Sequence, residues 1–138
     1  MQTFIPYGSD FEMNAFCLDT KRLGKQRVET YQILNAMNGT GGWRNHPATK
    51  MWEPYPEALI WYGIAICQEW IDRGYKDSML SRFADMFGDH QPEIILPPWI
   101  DNEDIVVSHR SNLIRKYPER YGLLWPDIPN NIQYVWPT

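Results

Sequence analysis

The residue types best suited to chemistry lie together in one short stretch of the chain. Residues 20–29 read Thr-Lys-Arg-Leu-Gly-Lys-Gln-Arg-Val-Glu, with four cations and one carboxylate. On a helix with about 100° per residue, Lys21, Arg22, Lys25 and Glu29 share one arc. A lone carboxylate among cations suits a reaction on a polyanion. The alternative is a solvated helix face that carries a weak Lys25–Glu29 ion pair.

Arg27 falls on the other side of this helix, in phase with Leu23 and Tyr31. A buried guanidinium needs a carboxylate or phosphate partner, so a structural ion pair and a ligand contact are both open for Arg27. Glu69 is a second carboxylate of interest, because the helix that carries it is mostly apolar. Its structural alternative is a core ion pair with Arg27 or Arg73.

A loop that follows a glycine-rich stretch carries the next candidates. Residues 43–47 read Trp-Arg-Asn-His-Pro. His46 in such a loop suits acid–base or phosphate chemistry, and the alternative is an ordinary hydrogen-bonded histidine. Trp43 and Trp52 are the aromatics that we expect near a site, where they would stack on a base. Histidines and cysteines lack the spacing of metal ligands, so no metal site is expected.

Two long helices are predicted to position these groups. The first begins at Asp19 or Thr20 and ends near Asn38, where a glycine-rich sequence stops it. Gly24 costs this helix stability, which indicates a close approach by backbone or ligand. The second helix covers residues 57–73 and is apolar on most sides, so we expect it at the centre of the core.

The rest of the chain predicts shorter elements around these two helices. Short helices are expected after the caps at residues 9 and 10, from Pro47, within residues 78–87 and over residues 105–116. Eleven prolines and an aromatic content of 14% indicate ordered loops and an aromatic, proline-rich tail that is too apolar for disorder. With 138 residues, the sequence predicts one all-α domain, residues 1–138, compact around a long central helix.

Charge is unevenly distributed along an acidic chain with a formal net charge of −4. This balance disfavours a DNA-binding protein of the ordinary basic kind. Cations nevertheless cluster in residues 21–27 and 109–120, while acids crowd into residues 85–104, so a local basic face can attract phosphates. Two cysteines and no visible signal peptide predict a cytoplasmic location. The apolar run at residues 59–71 is too short for a membrane span.

Three segments carry motifs that are more specific in combination than singly. Residues 23–29 place an arginine shortly before a glutamate on a helix. Residues 42–47 combine glycine, an aromatic and a His-Pro pair, and a Met-Trp pair follows. Residues 69–75 read Glu-Trp-Ile-Asp-Arg-Gly-Tyr and end the second long helix. In this order, over residues 18–77, they resemble the pyrimidine-dimer DNA glycosylase family of the phage endonuclease V type.

The resemblance implies an all-α enzyme that binds double-stranded DNA and needs no metal or other cofactor. In this family an N-terminal α-amine attacks C1′ of a damaged pyrimidine nucleotide, forms an imine and permits strand nicking by β-elimination, with help from a glutamate. Met1 would supply the amine here, and Glu29 would be the catalytic carboxylate. The expected DNA contacts are Lys21, Arg22, Lys25, Arg27, Arg44 and His46.

The identity of the carboxylate has alternatives, because Val28 separates Arg27 from Glu29. In the family's phage prototype the glutamate directly follows an arginine. Without a one-residue insertion, the catalytic carboxylate would be Asp19 or Glu69.

The identity of the nucleophile also has alternatives. Gln2 is bulky, and a bulky second residue usually blocks removal of the initiator methionine, so the amine belongs to Met1 itself. Lys21 and Lys25 are the alternative nucleophiles.

The function expected from the sequence is therefore that of a monomeric DNA glycosylase with AP-lyase activity on damaged or modified pyrimidines in duplex DNA. Other classes stay open. A non-catalytic nucleic-acid-binding protein would use the same helix and loop. A metal-dependent nuclease would use His46, His90 and the acids of residues 85–104. A structural or interaction protein would use the aromatic tail.

Overall fold

Seven α-helices and no β-strand occupy the part of the chain that the computed structural model describes, residues 2–39, 42–87 and 93–137. This architecture confirms the predicted all-α fold. In chain order the helices are α1 (Phe11–Cys17), α2 (Thr20–Met37), α3 (Pro47–Trp52), α4 (Pro56–Asp72), α5 (Leu80–Met86), α6 (Glu103–Lys116) and α7 (Pro118–Leu124). None of them is long and apolar enough to cross a membrane.

Helix α4 lies at the centre of the core, as its apolar pattern predicted. It packs against α1, α2, α3 and α5. Leu59, Ile66 and Cys67 are fully buried along it. Gly63 permits a close crossing with α5, since a Cβ atom there would lie 2.7 Å from the Phe83 ring. The described helices therefore form one compact domain around α4.

Helix α2 has the limits that its capping residues predicted. The Asp19 carboxylate accepts a hydrogen bond from the Arg22 backbone N–H and caps the first turn. The helix ends at Met37. A Cβ atom on Gly24 would lie 3.1 Å from the Trp70 ring of α4. The close approach that Gly24 indicated is thus made by a side chain, and not by backbone or ligand.

The aromatic tail packs on the helices, as predicted, but it begins with a helix that the sequence pattern did not reveal. Pro118 occupies the first turn of α7, where proline is well tolerated. Tyr121 and Trp125 are buried and their rings stack with centroids 5.7 Å apart. Tyr134 and Trp136, farther along the tail, pack against the core from outside. The tail therefore closes one side of the domain.

The N-terminal segment, residues 2–6, is buried and not helical, and it pairs with no strand in the described chain. Buried backbone N–H and C=O groups require hydrogen-bond partners. Side chains from three helices supply them here: Gln26 of α2, Tyr62 of α4, and His109 and Arg110 of α6. The segment is thereby tied to the helices through side chains rather than through a sheet.

These hydrogen bonds fix neighbouring residues of the N-terminal segment. The Phe4 backbone N–H donates to Gln26 Oε1 at 3.0 Å, and the Phe4 carbonyl accepts from the Tyr62 hydroxyl at 2.7 Å. The Ile5 N–H donates to His109 Nδ1 at 3.0 Å. Because the partners belong to separate helices, the segment can take this position only when those helices have packed together.

Trp52 anchors the same segment and does not line a site. Its side chain is fully buried, and its indole N–H donates to the Thr3 hydroxyl at 2.7 Å. A fully buried ring cannot stack on a base, so the structure assigns Trp52 to the core. Most aromatic residues in so aromatic a chain must fill the core, and α3 turns Trp52 inward.

Because of its burial, His109 should make the stability of the protein depend on pH. Burial lowers the pKa of His109 from its ordinary value of 6.5 to about 3. Only the unfolded state then binds a proton between these two values, so the free energy of unfolding should fall as the pH is lowered from about 6.5 toward 3. The slope from this group is at most about 1.4 kcal/mol per pH unit. Urea denaturation across this pH range measures it.

His109→Asn is the matched variant, since its side-chain oxygen can still accept from the Ile5 N–H but does not titrate. We expect a protein of lower stability with a flatter dependence on pH. Equal slopes for the variant and the wild type would contradict this interpretation of His109.

Candidate active site

A cleft of about 320 Å³ opens where α2 passes the N-terminal segment and the end of α6. The N-terminal segment, α2, the end of α6 and the tail each contribute side chains to it. Its lining residues are Gln2, Phe4, Lys21, Arg22, Lys25, Gln26, Glu29, Lys116 and Tyr134. The cleft therefore joins residues from both ends of the chain.

Helix phase brought together the residues that the sequence predicted. Lys21, Arg22, Lys25 and Glu29 all line the cleft. Glu29 is half-buried, and its carboxylate accepts a hydrogen bond from Gln26 Nε2 at 3.4 Å. The ion pairs within 4.0 Å in the described chain are Arg22–Asp19, Arg27–Asp77 and Arg73–Glu69. The Lys25–Glu29 pair of the solvated-face alternative is not among them.

Asp19 has a structural role at the start of α2. It caps the helix, pairs with Arg22 at 3.1 Å and accepts a hydrogen bond from the Tyr121 hydroxyl. Burial alone would raise the pKa of Asp19, but the hydrogen bonds from Tyr121 and Arg22 lower it overall. Arg22 also donates to the Lys116 carbonyl at 3.4 Å. Asp19 does not line the cleft, so its position disfavours it as the catalytic carboxylate.

Glu69 has a structural partner as well. Its carboxylate pairs with Arg73 at 3.1 Å, which confirms one of the two ion pairs considered for it. Arg73 in turn donates to the Leu18 carbonyl at 2.6 Å and so joins α4 to the turn before α2. Glu69 borders a separate groove between α1 and α4. Of the three candidate carboxylates, Glu29 is the one that lines the cationic cleft.

Arg27 points away from the cleft and joins α2 to the chain beyond α4. Its Nε donates to Asp77 Oδ1 at 2.8 Å, and its guanidinium lies 4.7 Å from the centre of the Trp70 ring. The side chains of Arg27 and Asp77 are 13% and 0% exposed. Its partner is thus Asp77 and not Glu69. This placement favours the structural ion pair over the predicted DNA contact.

His46 caps α3 at the edge of this region. Its Nδ1 accepts from the Ala48 backbone N–H at 3.0 Å, so the neutral ring carries its proton on Nε2. Burial lowers the pKa of His46, and the negative charge of Glu29 opposes that shift. The ring contacts Trp43 and Trp136 edge-on, at 5.6 and 6.1 Å between centroids. His46 is therefore a neutral ring with Nε2 as its hydrogen-bond donor, and it does not line the cleft.

Some predicted site residues have positions that differ from the expectation or lie outside the description. Arg44 and Trp43 are exposed in the loop before α3, and neither lines the cleft. Met1 and His90 lie outside the described residues. Within residues 2–39, 42–87 and 93–137, no group of three or more His, Cys, Asp and Glu side chains could hold a metal ion.

Comparison with known proteins assigns the sequence of this chain to a family. A family model for pyrimidine dimer DNA glycosylases matches residues 1–82. The chain belongs to the pyrimidine dimer DNA glycosylase family. Comparisons with curated proteins and with solved structures found no match. Family membership confirms the resemblance seen in the sequence motifs and implies DNA with damaged pyrimidines as the substrate.

Part of the cleft lies beyond the region that the glycosylase family model matches. Lys116 and Tyr134 line the cleft from α6 and the tail, and the sequence did not single them out. The basic stretch at residues 109–120 was the available signal for Lys116. Burial raises the pKa of Tyr134 to about 12, and the charge of Glu29 acts in the same direction. Gln26 was missed because an amide on a helix carries no motif.

The two kinds of cation on α2 should respond differently to substitution. Arg27→Gln leaves the buried Asp77 carboxylate unpaired, so we expect the free energy of unfolding to fall by about 3 kcal/mol. We expect little change in DNA affinity. Lys25→Gln should leave stability within about 0.5 kcal/mol. It should also weaken DNA binding and reduce the slope of log K against log salt by about one.

Urea denaturation and fluorescence anisotropy of a labelled duplex at several salt concentrations measure the two properties. A folded Arg27→Gln protein with the salt slope reduced as much as in Lys25→Gln would show that Arg27 contacts phosphate after all.

Proposed function

We propose that the protein is a DNA glycosylase with AP-lyase activity on damaged or modified pyrimidines in duplex DNA. The observation that carries this proposal is the cleft. In its described lining, one carboxylate, Glu29, lies among Lys21, Arg22, Lys25 and Lys116, directly beside the N-terminal segment. The cations suit the phosphates that flank a lesion, and they do so locally on a chain that is acidic overall.

The nucleophile of this proposal is the α-amine of Met1. Met1 is peptide-bonded to Gln2, and Gln2 lines the cleft. An α-amine ordinarily has a pKa near 7.7–8.0, compared with about 10.4 for a lysine. A larger fraction of it is therefore neutral and nucleophilic at neutral pH than of Lys21 or Lys25.

The reaction proceeds in two bond-breaking stages. The amine nitrogen attacks C1′ while the bond from C1′ to the pyrimidine breaks, and the departing base takes the electron pair and then a proton. The nitrogen loses its proton, the sugar ring opens, and its oxygen is protonated, which gives an imine at C1′. Loss of a proton from C2′ then expels the phosphate at C3′ and nicks the strand.

Glu29 assists at the points where charge and protons move. Its carboxylate stabilises the cationic character that develops at C1′. It can take the proton that the amine loses and deliver a proton to the opening ring. The Gln26 hydrogen bond at 3.4 Å holds the carboxylate at the wall of the cleft.

Glu29→Gln tests the chemistry, and borohydride trapping of the imine provides the readout. The substrates are a duplex with one abasic site and a duplex with one thymine dimer, both with chelator present. We expect the wild type to form a covalent adduct and nick the strand. Loss of this acid–base group should slow adduct formation and strand nicking by about 10²-fold or more. The affinity for the duplex should stay the same or increase, because a negative charge is lost from the cleft.

Glu69→Gln is the control, since Glu69 lies outside the cleft and should leave trapping and nicking intact. No adduct from the wild type, or undiminished trapping by Glu29→Gln, would contradict the proposal. Duplex binding without any reaction would instead support a non-catalytic binding protein. Nicking that a chelator stops would support a metal-dependent nuclease.

A further inference from the structure

Gln26 occupies a position that no sequence motif explains. Its side chain is 1% exposed and lies where α2 meets the N-terminal segment and α4. An amide side chain can accept two hydrogen bonds and donate two. In the described chain both N–H groups of Gln26 donate, while Oε1 accepts from the Phe4 N–H and lies 2.7 Å from the Tyr62 hydroxyl oxygen. Its orientation is therefore determined by its surroundings.

The two ends of the amide face different groups. Gln26 Oε1 accepts from the Phe4 N–H at 3.0 Å and lies 2.7 Å from the Tyr62 hydroxyl, whose single proton is shared between this oxygen and the Phe4 carbonyl. Gln26 Nε2 donates to the Gln2 carbonyl at 2.6 Å and to Glu29 Oε2 at 3.4 Å. Since a backbone N–H only donates and a carbonyl only accepts, the amide cannot be reversed without losing these hydrogen bonds.

We propose that Gln26 is a positioning residue whose amide nitrogen holds the Glu29 carboxylate in place relative to the backbone of Gln2. This inference rests on the proposed function. One N–H holds the backbone of Gln2, which is bonded to Met1, and the other N–H holds Glu29. Glu29 and the residue bonded to the proposed nucleophile thus share one buried hydrogen-bonding partner. A shift of about 1 Å between reacting groups costs about 10²-fold in rate.

Two variants separate positioning from a purely structural role. Gln26→Met keeps the length of the side chain but removes both N–H donors, together with the Oε1 acceptor of the Phe4 N–H. Tyr62→Phe is the matched control. Tyr62 is fully buried at the same place, and its hydroxyl also holds Phe4, but its loss leaves both donations from Gln26 Nε2 intact. Both variants should be less stable than the wild type, because each loses buried hydrogen bonds.

The experiment measures the single-turnover rate of borohydride trapping on a duplex with one abasic site. Protein is saturating and is shown to be folded by circular dichroism. We expect Gln26→Met to react about 10²-fold more slowly than the wild type while its dissociation constant for the duplex changes by less than about threefold. Tyr62→Phe should react within about threefold of the wild-type rate.

A Gln26→Met rate within about threefold of the wild type would overturn the inference, as would a Tyr62→Phe rate as slow as that of Gln26→Met. If Gln26→Met does not fold, Gln26→Glu takes its place, because it keeps the Oε1 acceptor and loses the donor. The same outcomes then apply.

Glu29→Gln, assayed alongside, separates failure of this inference from failure of the proposed function. An active Glu29→Gln protein contradicts the proposed function itself. An inactive Glu29→Gln protein beside a fully active Gln26→Met protein contradicts only the positioning role.

Discussion

Burial of the N-terminal segment is the constraint on which the rest of this structure depends. A buried segment that is not helical, inside a helical domain, has no sheet to pair with, so its backbone groups must form hydrogen bonds with side chains. Gln26, Tyr62 and His109 provide them from three different helices. The segment is consequently fixed at the wall of the cleft only when α2, α4 and α6 have packed correctly. Its position therefore depends on the tertiary structure of the domain.

Local electrostatics then explain how an acidic protein can present a surface for DNA. The cations that line the cleft come from the first two turns of α2 and the last turn of α6. The most deeply buried ion pair, between Arg27 and Asp77, lies away from the cleft and stabilises the packing of α2. Arg27 and Lys25 are two residues apart but lie on different sides of α2. Arg27 therefore stabilises the fold, while Lys25 lines the cleft.

The sequence pattern predicted the main helices and several cleft residues, but it could not predict contacts that depend on how the helices pack. Apolar periodicity located α2 and α4, and helix phase placed Lys21, Arg22, Lys25 and Glu29 in one cleft. The partner of Arg27 escaped prediction because Asp77 lies 50 residues farther along, in a turn whose position depends on α4. Helix α7 escaped because a proline marks the start of a helix as readily as a break. Gln26 escaped because its role exists only through tertiary contacts.

Under the proposed function the N-terminal amine, and no other amine, attacks the sugar. Mass-spectrometric mapping of the borohydride-reduced adduct between the wild-type protein and an abasic duplex tests it most directly. We expect the cross-linked DNA fragment on the N-terminal peptide, attached to the α-nitrogen of Met1. Attachment to the side chain of Lys21 or Lys25, in place of Met1, would contradict it.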